Sequence, residues 1–273
     1  MSTPRSRPAA DEPADPAGDQ PERRTPEPPT VERHPVRDFG PFLLVRAAHP
    51  RQAVLTAAGV AGAAAAFGRP LREVGLVALT VLVGQVVLGW HNDLVDADVD
   101  LAHERAGKPV SDGRLDPGSL WFALSCAVLV LVPLAFANGV TAGACYLGSV
   151  VVAALGNVVL RRGPLSFVPW VVAFGLYAPF LSYGGWVPGL DGEPPHPVVV
   201  ALAALAGVGA HVLTALWGLV ADHEDGWTYL PLRLGLRMGA TRLLVLTLLY
   251  LAVVLGALGW QAARVGLTYD WAG

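Results

Sequence analysis

Charge is unevenly spread along the chain, and long blocks carry none. Residues 74–90, 117–160, 163–190, 194–221 and 243–263 contain no Asp, Glu, Lys or Arg. A helix needs roughly 20 mainly apolar residues to cross the hydrocarbon core of a bilayer. Only structures that satisfy their own backbone hydrogen bonds persist there. The pattern predicts seven spans, at about 42–67, 71–91, 117–136, 139–160, 164–184, 197–221 and 240–263, and hence an all-α, polytopic transmembrane helix bundle. Arg46, His49, Pro50 and Arg51 interrupt the first span, which predicts a kinked or interfacial first half. Pro117, Pro164 and Pro197 open spans, where a missing amide hydrogen costs nothing. Pro133, Pro169 and Pro179 fall inside spans, where neighbouring helices must re-satisfy the freed carbonyls.

Composition agrees with that pattern. The chain has 273 residues, of which 53% are hydrophobic and 15% charged, too apolar for an ordinary soluble domain. Residues 1–40 differ, holding nine prolines, eight acids and six arginines. Such a segment buries too little surface to offset its ordering entropy. It is expected to be a disordered cytoplasmic tail ahead of a membrane domain over 41–273. It has no apolar core followed by a small-residue cleavage site, so it does not read as a signal peptide. With the N-terminus inside, sixteen of the nineteen basic residues lie on that side, against Arg69, Arg72 and Arg264 outside. This asymmetry predicts a multi-pass protein of the cell membrane with a cytoplasmic N-terminus and a cytoplasmic 92–116 loop. Cys126 and Cys145 lie in apolar blocks with no partner spacing and read as bystander thiols. The bilayer is the expected surrounding, and no nucleic-acid partner is expected.

The densest chemistry follows the second span. Asp93, Asp96, Asp98 and Asp100 place four carboxylates in eight residues, a density that demands a cation. Asp93, Asp96 and Asp100 are spaced i, i+3 and i+7, and Asn92, Asp96 and Asp100 i, i+4 and i+8, so one helix face presents converging oxygens. Hard oxygens on a few carboxylates, completed by substrate phosphates, describe a magnesium site. A calcium loop beginning at Asp96 fails, because Leu101 and Gly107 stand where that loop needs Gly and Glu. A second acidic cluster, Asp222-His223-Glu224-Asp225, ends the sixth span on the same predicted side. Two such clusters facing one another can hold two magnesium ions with a diphosphate between them. Arg105, Lys108, Arg114, Arg161 and Arg162 suit the remaining diphosphate charge; the arginines at span ends equally suit a purely topogenic role.

These motifs together resemble the UbiA superfamily of intramembrane prenyltransferases. Asn92-Asp93-x-x-Asp96-x-x-x-Asp100 is similar to its first aspartate motif, and Lys108-Pro109 through Gly113-Arg114 to the loop after it. Tyr146, Arg161-Arg162 and Pro164 resemble the tyrosine and basic pair of its fourth helix. Asp222-x-x-Asp225 followed by Tyr229-Leu230-Pro231-Leu232-Arg233-Leu234-Gly235 resembles the second motif and its downstream signature. Two departures stand out. Asp222 and Asp225 are three apart with Gly226 directly after, where the family has a wider spacing. Seven spans are legible, where the family usually has nine.

The resemblance implies magnesium-dependent transfer of a prenyl group from a prenyl diphosphate to an aromatic or other lipophilic acceptor. It implies Asp93, Asp96 and Asp222 as the central carboxylates, with Asn92, Asp100 and Asp225 in support. A cyclase, in which the allylic cation closes on itself, and a cation-handling or non-catalytic membrane protein are the alternatives. His211 precedes Asp222 by eleven residues, which predicts the same helix face at roughly 16 Å greater depth. An ionisable group there is a functional candidate, on the acceptor side with Asn157 and Tyr146. Tyr146, Tyr177 and Trp217 offer π faces to a cation or serve as ordinary packing.

Overall fold

The computed structural model describes residues 39–102, 108–186 and 192–267, with side chains except at 98–102. The predicted tail therefore lies outside the described residues but for its last two positions. Arg105 and the side chain of Asp100 lie outside them as well. The described residues form eleven helices: α1 (Gly40–Ala47), α2 (Pro50–Ala66), α3 (Leu71–Ala102), α4 (Pro117–Phe136), α5 (Val140–Val159), α6 (Val168–Gly175), α7 (Tyr177–Ser182), α8 (Pro197–Ala215), α9 (Leu219–Glu224), α10 (Leu230–Met238) and α11 (Ala240–Arg264).

Five of them, in α3, α4, α5, α8 and α11, are long and apolar enough to cross a membrane, and Val168–Ser182 forms a shorter apolar pair. This is the all-helical architecture of a multi-pass membrane protein. Helix starts follow local chemistry. Asp116 caps α4 by accepting from the Ser119 amide at 2.7 Å, with Pro117 in the first turn. His196 does the same for α8, its Nδ1 accepting from the Val198 amide at 3.2 Å, ahead of Pro197.

Four predicted spans differ from what forms. The first splits at His49, whose φ of 50° and ψ of 59° are left-handed; Pro50 follows and begins a new helix. The second extends eleven residues past its predicted end, so α3 has 32 residues and a length of about 48 Å. That carries its polar end beyond a hydrocarbon core of roughly 30 Å. The fifth begins only at Val168, with Pro169 in its first turn, because Arg161 to Phe167 form turns. Pro164 therefore opens no helix, and the position expected for it belongs to Pro169. The sixth ends at Ala215 and resumes at Leu219. His211 and Asp222 are thus on different helices, and the face they were expected to share does not exist.

Close approach between helices rests on small residues, as is common in membrane bundles. A Cβ on Gly143 of α5 would sit 2.7 Å from the Ala135 carbonyl oxygen of α4. One on Gly207 of α8 would sit 2.4 Å from the Trp170 carbonyl oxygen of α6. At the end of the bundle remote from the aspartates, Arg69 pairs with Glu73 at 3.4 Å and donates to the carbonyls of Leu181 and Gly184. That guanidinium ties α3 to the end of α7.

Gly143→Ala is expected to lower stability by about 1–3 kcal/mol, because the clash is with backbone and not with a side chain that can turn away. A thermal unfolding midpoint in detergent equal to that of the wild type would show that α4 and α5 are not so closely opposed.

Candidate active site

The acidic end of α3 is built as its spacing requires. The Asn92 side-chain amide donates to Asp96 Oδ2 at 3.1 Å, an i, i+4 contact on one face. Asp93 and Asp96 are 2% and 7% exposed. Buried carboxylates need partners, and three cations or potential cations supply them. Lys108 Nζ stands 3.6 Å from Asp93 Oδ1 and 3.7 Å from Asp96 Oδ2. Arg161 donates to Asp96 Oδ1. His49 Nε2 lies 3.0 Å from Asp93 Oδ1.

Each partner is held by a distinct piece of the fold. Lys108 leads a tight turn in which Arg114 and Leu115 amides donate to the Pro109 carbonyl at 3.0 and 2.9 Å. Val110 and Leu115 pack with Leu43, Ala47 and Leu120, fixing that turn under α1. Trp90 holds α1 to α3 through Nε1 and the Leu44 carbonyl at 2.8 Å. Arg161 follows the end of α5. His49 occupies the break between α1 and α2.

The second acidic cluster is tied to the same end of the bundle through Arg161 and Arg162. Arg161 and Arg162 place their guanidinium carbons 4.9 and 5.4 Å from the centre of the Trp227 ring. The Trp227 amide donates to the Asp222 carbonyl and the Thr228 amide to the Arg162 carbonyl, each at 3.0 Å. The Tyr229 hydroxyl donates to Asp222 Oδ2. One guanidinium therefore spans from Asp96 to the loop after α9, the helix that carries Asp222, and α3, α5 and α8 all end on one side.

A cavity of about 350 Å³ opens beside these groups, lined among others by His49, Gln85, Asn92, Asn157, Arg161 and Tyr177. Its wall from the turn before α6 and from α8 carries Ser166 and His211, 2% and 7% exposed, with Oγ and Nε2 3.0 Å apart. His211 lies on Trp170, ring centres 5.4 Å apart, and 6.3 Å from the ring of Tyr229.

Not every expected residue joins this group. Arg114 pairs with Asp112 and Arg162 stacks on Trp227 instead of reaching an aspartate. Asp225 is exposed while Asp222 is buried against Tyr229. Tyr146 does not line the cavity. It is fully buried, fits the space left by Gly84 and donates to the Val81 carbonyl at 3.3 Å, so it is core. Trp217 is 93% exposed at the break after α8.

His49, Ser166 and Trp227 were not singled out as site residues by sequence pattern, and Tyr229 entered only as the first residue of the signature after the second motif. His49 had one signal, a His-Pro pair interrupting an apolar run. Ser166 and Trp227 had none, since each acts from an irregular loop with no period to read.

Among the described residues, no three His, Cys, Asp or Glu side chains form a preassembled metal cage. Two buried carboxylates on one face suit magnesium in its other common mode, in which one or two carboxylates share the ion with substrate phosphates. The donor set fits a hard divalent cation on that basis.

The model of the UbiA prenyltransferase family matches residues 53–269, and the chain belongs to that family. Two solved structures of a UbiA homolog from Archaeoglobus fulgidus share the fold. The one bound to Cd2+ aligns with a TM-score of 0.57 at 15% identity, over 82% of this chain and 80% of its own. The one bound to GPP and Mg2+ aligns with a TM-score of 0.58 at 16% identity, over 81% and 82%. A search of curated proteins finds no match.

Two substitutions separate the backbone role of His49 from its hydrogen bond. Both His49→Ala and His49→Gly lose the contact with Asp93. The left-handed penalty of roughly 1–2 kcal/mol, less the entropic cost of glycine of roughly 0.5–1 kcal/mol, leaves the glycine variant more stable by about 1 kcal/mol. Unfolding midpoints in the opposite order would contradict the left-handed break.

Proposed function

We propose that the protein transfers a prenyl group from a prenyl diphosphate to an aromatic or other lipophilic acceptor inside the membrane, with the aspartate end facing the cytoplasm. The observation that carries this is the meeting of Asp93, Asp96, Lys108 and Arg161 beside a cavity that Asn92 and Arg161 line. Asp93 and Asp96, supported by Asn92 and Asp100, would hold one magnesium ion, and Asp222 with Asp225 a second. When bound, magnesium supplies Lewis acidity toward the departing diphosphate oxygens.

The chain's own residues do the rest. Lys108 and Arg161 already face the carboxylates, and their donors suit diphosphate oxygens once those oxygens and a divalent ion enter. Arg114 and Arg162 add positive potential along the same side, and Arg105 is proposed to join them. The cavity takes the prenyl chain and excludes water from its reacting carbon. The C1–O bond of the donor breaks with its electron pair on the diphosphate. A carbon of the acceptor bonds to C1, and the proton it displaces leaves with the diphosphate. Preorganised charge at the departing group is the main source of rate.

Asp96→Asn keeps the size of the side chain and removes its charge. It is expected to reduce diphosphate release from geranyl diphosphate by at least about a hundredfold, the usual scale for losing one preorganised electrostatic group. Chelation of divalent ions should reduce wild-type turnover to a similar level. Unchanged release by the purified variant would sink the proposal.

A further inference from the structure

The cavity is two-sided, and the two sides differ in chemistry. One wall, from α3 and α5, leads from Asn92 and Arg161 down to Gln85 and Ser149. By the α-helical rise, Asp96 lies about 16 Å along α3 from Gln85. That wall suits a donor with its diphosphate at the aspartates and its chain running inward. The other wall, from the turn before α6 and from α8, carries Ser166 and His211. They share a hydrogen bond of 3.0 Å beneath the aromatic surface of Trp170. His211 lies one turn before the end of α8.

We infer that Ser166 and His211 form the binding site for the acceptor, and that they select one that is uncharged and bears a hydroxyl group on an aromatic ring. This rests on the prenyltransferase reading and specifies its second substrate. With His211 Nε2 engaged by Ser166 Oγ, the Ser166 hydroxyl, oriented by His211, keeps one further donor or acceptor site for an incoming hydroxyl, while Trp170 and Phe174 offer faces to an aromatic ring. Arg161 is the only Lys or Arg among the described lining residues, and it is engaged by Asp96. A carboxylate placed at the Ser166–His211 wall would lose its hydration without a fixed cation to replace it. An acceptor held on this wall lies across the cavity from the aspartates, facing the C1 carbon of a donor on the opposite wall.

The test uses the full chain in lipid nanodiscs, with empty nanodiscs subtracting partition into lipid. Two probes of matched shape, 4-propylphenol and 4-propylbenzoate, are titrated by equilibrium dialysis into the wild type, Ser166→Ala and His211→Phe. A non-hydrolysable thiolodiphosphate analogue of geranyl diphosphate, with magnesium, is titrated separately. The expected result is 4-propylphenol bound by the wild type at least tenfold more tightly than 4-propylbenzoate, and at least tenfold more weakly by either variant. Binding of the thiolodiphosphate should stay within twofold, which also establishes that the variants are folded. Equal affinity for the two probes, phenol affinity unchanged in both variants, phenol no better bound than by empty nanodiscs, or a parallel loss of thiolodiphosphate affinity would each overturn the assignment. Failure of the wild type to bind the thiolodiphosphate would instead sink the prenyltransferase reading, leaving the phenol result to be judged by itself.

Discussion

The structure depends on one guanidinium. Arg161 leaves the end of α5, bonds Asp96 at the end of α3 and lies over Trp227 in the loop after α9. Breaking a buried ion pair by removing one partner is far more costly than the net worth of the pair, because the remaining charge is left without hydration. Three segments distant in sequence are therefore held in register by groups that cannot separate cheaply. Lys108 and His49 extend the same logic to Asp93. The carboxylates are buried because two cations and a histidine from three other segments come to them. The same cations are what a diphosphate needs, so in the proposed reaction the anionic head group and its divalent ions enter between charges already opposed. The site exchanges partners there, and no bare charge has to be created inside it.

The irregular backbone lies where this chemistry is placed. A lipid-facing break in a spanning helix leaves polar groups without partners, whereas a break beside a protein-lined cavity can be satisfied. The His49 break and the turn that holds Ser166 both line the cavity. By contrast, α4 runs unbroken for 20 residues with Pro133 inside it. It presents Phe122 and Leu129 outward, 74% and 75% exposed, as lipid requires. His49 keeps an unfavourable left-handed conformation, and the contact it gains is with the most buried carboxylate of the site.

Legibility in the sequence followed periodicity. The spans over α4, α5 and α11 were readable because an apolar run bounded by Pro, Gly or charge has little choice but to be a spanning helix. The Asn92–Asp96 contact was readable because i, i+4 spacing in a helix fixes which side chains meet. That inference failed once the helix did not continue. The spacing from His211 to Asp222 assumes unbroken register through Trp217 and Gly218, and a turn at Leu216–Gly218 removes it. The two residues still come near one another, but through Tyr229, which arrives from a later loop. Tyr146 failed for a different reason. Its position suggested a π face for a cation, yet the missing side chain at Gly84 gives its ring a place in the core, and sequence spacing does not encode that pairing.

The division of the cavity follows from the order in which helices reach the aspartate end. Among α3, α5 and α8, only α3 and the residues just past α5 carry groups that contact the first motif directly. The end of α8 is separated from it by Trp227 and Tyr229, whose indole and hydroxyl take up Arg161, Arg162 and Asp222. Charge is thereby concentrated on one wall, while the opposite wall keeps uncharged hydrogen-bonding groups under aromatic rings. In the proposed reaction that asymmetry has a direct consequence. Positive character developing at the donor's C1 lies between the anionic motif and the π faces of Trp170 and Phe174, so the side from which an acceptor approaches is also the side that tolerates the cation.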